Sequence, residues 1–422
     1  MLKYLNYFQF FLFCLIPLLL VTGPFLSDLS ITLIGIIFII CIIKTNNFQY
    51  IKSKFSIYFF IYYLIFIIAS LNSNNILFSF ESSLFYFRFG LFFLAIHYII
   101  QNNKNFNSYF LSFLFLTFLI LIIDGFYQYF SAYNFLGYHY GGNRLSGLFG
   151  NEQKLGNFLI RLLPIILAFL IISKTKIINS DHFLILFSIV VGTLIFISGE
   201  RNAIVLFLIF VILFTLLIIK SNFLKLAFLA IFLLISVFLL AETNIKQRLI
   251  LNTIDSVKMK DSNELYFISE EHQGLILTSI KMGKENLLTG VGPKMFRNEC
   301  KETKYQINHS TKDTLTSYCS THPHNIYAQL FAETGIIGLS PLILFFIIIT
   351  SLLCREILLR FNGKIILSRY QCLLLIAIFL NFLPFVPSYN FFNNWISIIY
   401  YLPIGLLFNS TQNQDIKNES VN

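Results

Sequence analysis

The chain has 422 residues, of which 57% are hydrophobic and only 12% charged, a balance far from that of a soluble globular domain. Its formal net charge of +10 is scattered through short loops and forms no basic stripe interleaved with aromatic residues, so nucleic-acid binding is excluded as its purpose. The apolar runs are continuous rather than alternating, and lipid leaves closed helices as the way to satisfy their backbones; the expected class is an all-α polytopic membrane protein.

At roughly 20 apolar residues per crossing, polar punctuation divides the chain into about twelve transmembrane helices, near 5–27, 29–43, 55–70, 84–101, 108–130, 156–173, 183–199, 202–219, 223–241, 324–353, 370–387 and 390–408. Residues 1–241 hold the first nine, 242–323 form one long polar loop, and 324–408 hold the last three. Residues 409–422 are a polar, Asn-rich tail expected to be disordered. Apolar runs set back to back exclude a cleaved leader followed by a soluble enzyme. Lys44, Lys52, Lys104, Lys174, Lys220, Arg355, Lys364 and Arg369 fall on one side of this arrangement, which places that side and both termini in the cytoplasm. The opposite short loops hold Arg144, Lys154 and Arg201, and the long loop faces the periplasm.

Ionisable residues inside spans are costly and are candidates for function. Arg88, Asp124 and Arg161 lie near the outer ends of the fourth, fifth and sixth spans, and Arg201 lies in the turn Ser198-Gly199-Glu200-Arg201. Each alone reads equally well as a snorkelling side chain or a helix-to-helix ion pair. Their shared depth describes a cationic cavity open to the outer leaflet. The loop Gly141-Gly142-Asn143-Arg144-Leu145-Ser146-Gly147 adds an arginine on the side where arginine is disfavoured. A guanidinium fork there suits a phosphate or diphosphate better than a point charge does.

In the long loop, Cys300 and Cys319 face an oxidising compartment and are expected to pair, since their spacing matches no zinc pattern. The most specific string opens the tenth span: His322-Pro323-His324-Asn325, followed by Gly335 and Gly338. Pro323 is expected in the first helical turn, which sets His324 at a helix N-terminus whose dipole disfavours imidazolium and whose open amides can face an anion. Gly335 and Gly338 are expected to let a neighbouring helix pack closely.

These residues resemble the O-antigen ligase and polymerase superfamily of bacterial envelope glycosyltransferases, with the ligase branch favoured. The likeness covers most of the chain and rests on the Arg144 loop, the turn at Arg201, the segment Asn286-Leu287-Leu288-Thr289-Gly290-Val291-Gly292-Pro293, the stretch from Phe296-Arg297 to Cys300, and His324-Asn325 with Gly335 and Gly338. It implies a fold similar to the GT-C glycosyltransferases in the bacterial inner membrane. It also implies transfer of a polysaccharide from undecaprenyl diphosphate to a sugar hydroxyl of the lipid A core in the periplasm. His324 would be the catalytic histidine, Arg144 and Arg201 would hold the diphosphate, and Asn325, Arg88, Arg161, His322 and Arg297 would line the substrate site. Two departures stand out: His272 and Leu275 lie where many relatives carry arginine and tryptophan, and Glu200 precedes Arg201 where a small polar residue is commoner.

Transfer from a polyprenyl diphosphate needs a stabilised diphosphate leaving group and a base for the incoming hydroxyl, roles that arginines and a neutral histidine fill. The outer loops carry no Asp-x-Asp or comparable carboxylate pair, so a metal-independent, inverting reaction without cofactor is expected. The partners expected are the lipid-linked donor, the lipid A core or another glycan acceptor, and membrane lipid, with no nucleic acid. The competing readings are an O-antigen repeat-unit polymerase, a protein oligosaccharyltransferase and, from a different class, a lipid-glycan transporter. A transporter would show internal repeats and polar sites at the bilayer midplane, and neither is apparent.

Overall fold

The computed structural model describes residues 1–142, 144–257, 269–309, 312–316 and 318–419. Each of the expected apolar runs lies on a helix. In chain order these are α1 (Leu2–Thr22), α2 (Pro24–Thr45), α3 (Lys54–Leu71), α4 (Ile76–Leu84), α5 (Phe87–Asn102), α6 (Phe106–Ser131), α7 (Leu155–Ile171), α8 (Asp181–Ile197), α9 (Arg201–Leu217) and α10 (Asn222–Ala241). The long polar segment then contributes α11 (Thr243–Lys246), a π-helical turn at Gln247–Leu251, α12 (Asn252–Val257), α13 (Glu270–Glu285) and α14 (Phe296–Glu299). A small antiparallel hairpin follows, β1 (Ile307–His309) with β2 (Lys312–Thr316). The chain closes with α15 (Ile326–Phe361), α16 (Arg369–Asn381) and α17 (Asn394–Glu419), the last taking in most of the polar tail. Residues 420–422 of that tail lie outside the described residues.

The protein is an all-α, multi-pass membrane protein. Among the described residues, six stretches are long and apolar enough to cross a membrane: Leu2–Thr22, Pro24–Thr45, Ile76–Asn102, Phe106–Ser131, Asn222–Ala241 and Ile326–Phe361. Shorter apolar helices accompany them, and α7 is the centre. It is apolar on every face except for Asn157 and Arg161, and a helix of that kind must be enclosed; it is buried from Leu155 to Leu170. Helices α6, α8, α9 and α16 pack around it. The equally apolar α10 buries only Phe228 and Leu239, which leaves the rest of its surface to lipid.

Polar contacts gather the starts of α2, α5, α7, α9, α15 and α17 at one end of the bundle. Asp28 on α2 pairs with Arg88 on α5 at 3.0 Å and accepts from Asn394 on α17 at 3.1 Å. Glu200, the cap of α9, accepts from the Gly156 amide of α7 at 2.6 Å. Asn202 donates to the Pro387 carbonyl at 2.9 Å, in the connection before α17. The other end is tied by Arg369 to Asp181 at 2.6 Å and by Arg360 to Glu356 and to the Leu217 carbonyl.

Helix α15 is broken at Gly335, which has φ 64 and ψ −164. The break frees backbone groups that would be expensive to leave unpaired in a membrane. The segment Leu287–Gly292 satisfies them: Ile336 and Ile337 donate to the Leu287 and Leu288 carbonyls at 2.8 and 3.4 Å, while Val291 and Gly292 donate to the Ala332 and Glu333 carbonyls, both at 2.9 Å. Gly335 therefore accommodates an irregular strand of chain, where close packing of a neighbouring helix was expected. Gly338 faces its own Thr334 side chain. This anchorage carries a second small core, Leu275, Met282, Val291, Met295, Phe296, Cys300 and Tyr305 around Ala332 of α15. Cys300 and Cys319 are joined by a disulfide with Cα atoms 5.4 Å apart, fastening α14 to the chain that leads into His322.

Candidate active site

Three histidines meet at the start of α15. The His324 ring lies 4.2 Å from that of His322 and 5.4 Å from that of His272, centroid to centroid. His272 comes from α13, where Ser269 Oγ and His272 Nδ1 share a hydrogen bond of 2.7 Å. His322 is fixed by Thr321 Oγ1 at 3.0 Å and by the Ser388 carbonyl at 3.3 Å. His324 is held through its backbone, since the Ser388 amide donates to its carbonyl at 2.8 Å. Its φ is 54, a left-handed conformation uncommon outside glycine and found where surrounding structure imposes it.

The helix begins later than the position of Pro323 implied. Asn325 is the N-cap, its side chain accepting from the Tyr327 and Ala328 amides at 3.0 and 3.1 Å, and the Ile326 amide donates to Ser388 Oγ at 2.8 Å. Those amides are thus spent within the protein, and the expected helix-terminal anion site is closed. Pro323 lies outside the helix, and Asn325 spends its amide nitrogen on the Pro384 carbonyl at 2.7 Å.

The surroundings of the histidines disfavour their protonated forms. Burial, reinforced by His272, lowers His324 below the usual imidazole value, with Glu271 opposing. Burial lowers His272 likewise. For His322, burial and the neighbouring His324 push it down to about 3, with Arg297 and His272 adding to the effect. A cavity of ≈ 280 Å³ opens beside them, with His272, His324 and Asn325 at one side and Ile276, Leu277 and Phe385 giving it an apolar wall.

Arginines form the second part of the site. Leu145 donates to the Ser198 carbonyl at 3.1 Å, which lays the Arg144 loop against the turn that opens α9. Arg144 and Arg201 repel one another there, and Arg248 of the π-helical turn joins them, accepting a hydrogen bond from Arg201 on its carbonyl at 3.3 Å. Burial and the charges of Arg144 and Arg201 push Arg248 down to about 10. Glu200 does not sit across Arg201. Its carboxylate turns to the start of α7, taking the Gly156 amide at 2.6 Å, the Asn157 amide at 3.2 Å and Asn157 Nδ2 at 2.5 Å; burial raises it to about 7 against those bonds and the charge of Arg144. Three clustered guanidinium groups destabilise one another until an anion arrives. Asn202, beside Arg201, bonds Pro387, whose side lines the histidine cavity, so the two parts share a wall.

Not every expected site residue converges here. Arg161 is 1% exposed and donates to Asn381 Oδ1 at 2.7 Å inside the bundle. Arg88 pairs with Asp28, and Asp124 accepts from the Phe135 amide at 2.9 Å. The single cationic cavity inferred from common depth resolves into separate places. Arg297, on α14, faces His322 electrostatically. His272 and Arg248 were not singled out as site residues from sequence. Arg248 breaks the same charge asymmetry as Arg144, but the length of its loop masked the signal.

The comparison with known families completes this picture. Residues 183–345, from α8 through the Gly335 break, match the family model described as O-antigen ligase. Over this stretch the chain is similar to the O-antigen ligase superfamily. No curated protein matches the chain. The superfamily match takes in Arg201, Arg248, His272, Arg297, His322 and His324, while Arg144 lies before it. Its members are membrane glycosyltransferase-like enzymes acting on lipid-linked glycans and their acceptors.

Proposed function

We propose that the protein transfers a polysaccharide from undecaprenyl diphosphate to a sugar hydroxyl of the lipid A core on the periplasmic face of the inner membrane. The acceptor oxygen attacks the anomeric carbon of the donor, its proton passes to a neutral imidazole nitrogen of His324, and the bond from that carbon to the phosphate oxygen breaks. Undecaprenyl diphosphate leaves with the electron pair, its charge met by Arg144, Arg201 and Arg248. Inversion at the anomeric carbon follows from a single displacement, and the step requires no metal. The observation that carries the reading is His324, whose burial disfavours imidazolium, at the edge of an apolar cavity whose Pro387 is bonded by Asn202, the neighbour of Arg201 in the three-arginine cluster. A base must be unprotonated and a diphosphate needs concentrated positive charge, and the two needs are met by neighbouring but separate groups.

The test is His324→Ala in full-length protein reconstituted with donor and with purified acceptors. A positioned base contributes about 10² to 10⁴ in rate, so transfer should nearly cease while abundance and insertion stay normal. His322→Ala should do less, because its contacts are to Thr321 and Ser388. A stable His324→Ala protein with full transfer would dismiss the mechanism. Offering lipid A core, a second lipid-linked glycan and a protein acceptor in parallel separates ligase from polymerase and from protein glycosylation.

A further inference from the structure

Helix α15 carries a fully buried glutamate, Glu333, that the transfer mechanism does not use. Its carboxylate faces two ways. Oε1 accepts from the Phe296 amide at 3.1 Å, and the Lys294 amide bonds to the same carboxylate, so Glu333 satisfies amides that the start of α14 leaves open. Oε2 accepts from Gln329 Nε2 at 2.9 Å, one turn back along α15.

Each bond opens onto one arm of the histidine site. The first arm is α14, whose second residue is Arg297, a charge that acts on both Glu333 and His322. The far end of α14 is fastened by the Cys300–Cys319 disulfide to the chain leading into His322. On the second arm, Gln329 Nε2 also donates to Asn390 Oδ1 at 2.9 Å, and Gln329 Oε1 accepts from the Phe391 amide at 2.9 Å. Two residues before Asn390 stands Ser388. Its amide holds the His324 carbonyl, its hydroxyl takes the Ile326 amide, and its carbonyl meets His322 Nε2.

This pattern decides which group fits at position 333. Phe296 presents an N–H. Gln329 has committed its oxygen to the Phe391 amide, so it too presents an N–H to Glu333. Both terminal atoms of residue 333 must therefore accept, which a carboxylate does and a carboxamide cannot. A glutamine there sets N–H against N–H on one arm, and turning Gln329 to relieve the clash surrenders its bonds to Phe391 and Asn390. Either way a buried donor is left without an acceptor, which is the costly outcome.

We propose that Glu333 is a positioning residue of the site, whose two accepting oxygens set Arg297 on one arm and the Ser388 clasp of His322 and His324 on the other. The part of this that concerns transfer rests on the transferase reading above. The test compares full-length wild type, Glu333→Gln and Glu333→Asp in lipid nanodiscs, with equilibrium unfolding as the check on folding. The first readout is carbethoxylation of His324 by diethyl pyrocarbonate, followed by peptide mass spectrometry. Exposed His182, beside the Asp181–Arg369 pair at the opposite end of the bundle, is the internal reference. Released from the clasp, His324 should react several-fold faster in Glu333→Gln, with His182 unchanged. The second readout is transfer, where kcat should fall about 10- to 10²-fold, the effect of a small misplacement at a reacting group, while KM for the lipid-linked donor changes by less than about twofold. Glu333→Asp keeps two accepting oxygens and should lie between wild type and Glu333→Gln in both readouts. A role in filling space reverses that order, because glutamine matches glutamate in size. Unchanged His324 reactivity in folded Glu333→Gln, the reversed order, or lost stability with kcat intact would each overturn the proposal. If Glu333→Gln does not accumulate, Glu333→Asp carries the test, and His324 reactivity equal to wild type then overturns it. A wild-type protein that transfers to no acceptor refutes the transferase reading instead, and the reactivity of His324 still decides the role of Glu333.

Discussion

Gly335→Ala is the change that most directly probes how the fold supports the site, because Gly335 touches neither a histidine nor an arginine of it. With φ 64 and ψ −164 the residue occupies a region that is nearly closed to side chains. A Cβ there would point into the backbone of Leu287 and Leu288, within 2.7 Å of the Leu287 carbonyl oxygen, and backbone cannot rotate away. The strained conformation costs about 1–3 kcal/mol and the bonds to Ile336 and Ile337 about 0.5–1.5 kcal/mol each, so the substitution should cost roughly 2–6 kcal/mol in all. Gly338→Ala is not a mild control, since its Cβ would crowd Thr334 Cβ, which side-chain rotation does not move, so wild-type protein is the reference. Equilibrium unfolding in mixed micelles reads the cost, and glycan transfer at matched protein level reads its consequence, for the displaced segment leads directly to Lys294 and Arg297. Gly335→Ala protein as stable and as active as wild type would refute the claim that the break is stapled by Leu287–Gly292.

The lowered His324 makes a statement about pH. A base acts when neutral, and a lowered value keeps it neutral further into acid, so the acid limb of kcat/KM for transfer should fall below the ordinary imidazole value of 6.5; a limb above it would show that burial does not govern this residue. Arg144→Lys, Arg201→Lys and Arg248→Lys should each impair transfer, because a point charge does not reproduce the guanidinium fork on a diphosphate; full activity in all three at normal abundance would remove the arginines from donor binding. Reporters fused near Lys364 and near Lys312 should report cytoplasm and periplasm respectively, and the reverse pattern would put the proposed site in the wrong compartment.

The sequence by itself determined the class of the molecule and the order of its apolar runs along the chain. These depend on properties carried by each residue alone, lipid solubility and the cost of a buried charge. It also named His322, His324, Arg144 and Arg201, because a short string of unusual residues at a span boundary is visible without any fold. Only the tertiary structure decided which of the arginines lie together. Arg161 and Arg88 sit at the expected ends of their spans, yet one is enclosed against Asn381 and the other is paired with Asp28, while Arg248 arrives at Arg144 from a distant loop. Sequence depth gives a residue's height along the bundle but not its angle around it, and that angle is set by packing against neighbouring helices. Gly335 was misjudged for the same reason: a glycine in an apolar run signals close approach, and whether a helix or an irregular strand makes that approach depends on where Leu287–Gly292 finds partners for its backbone.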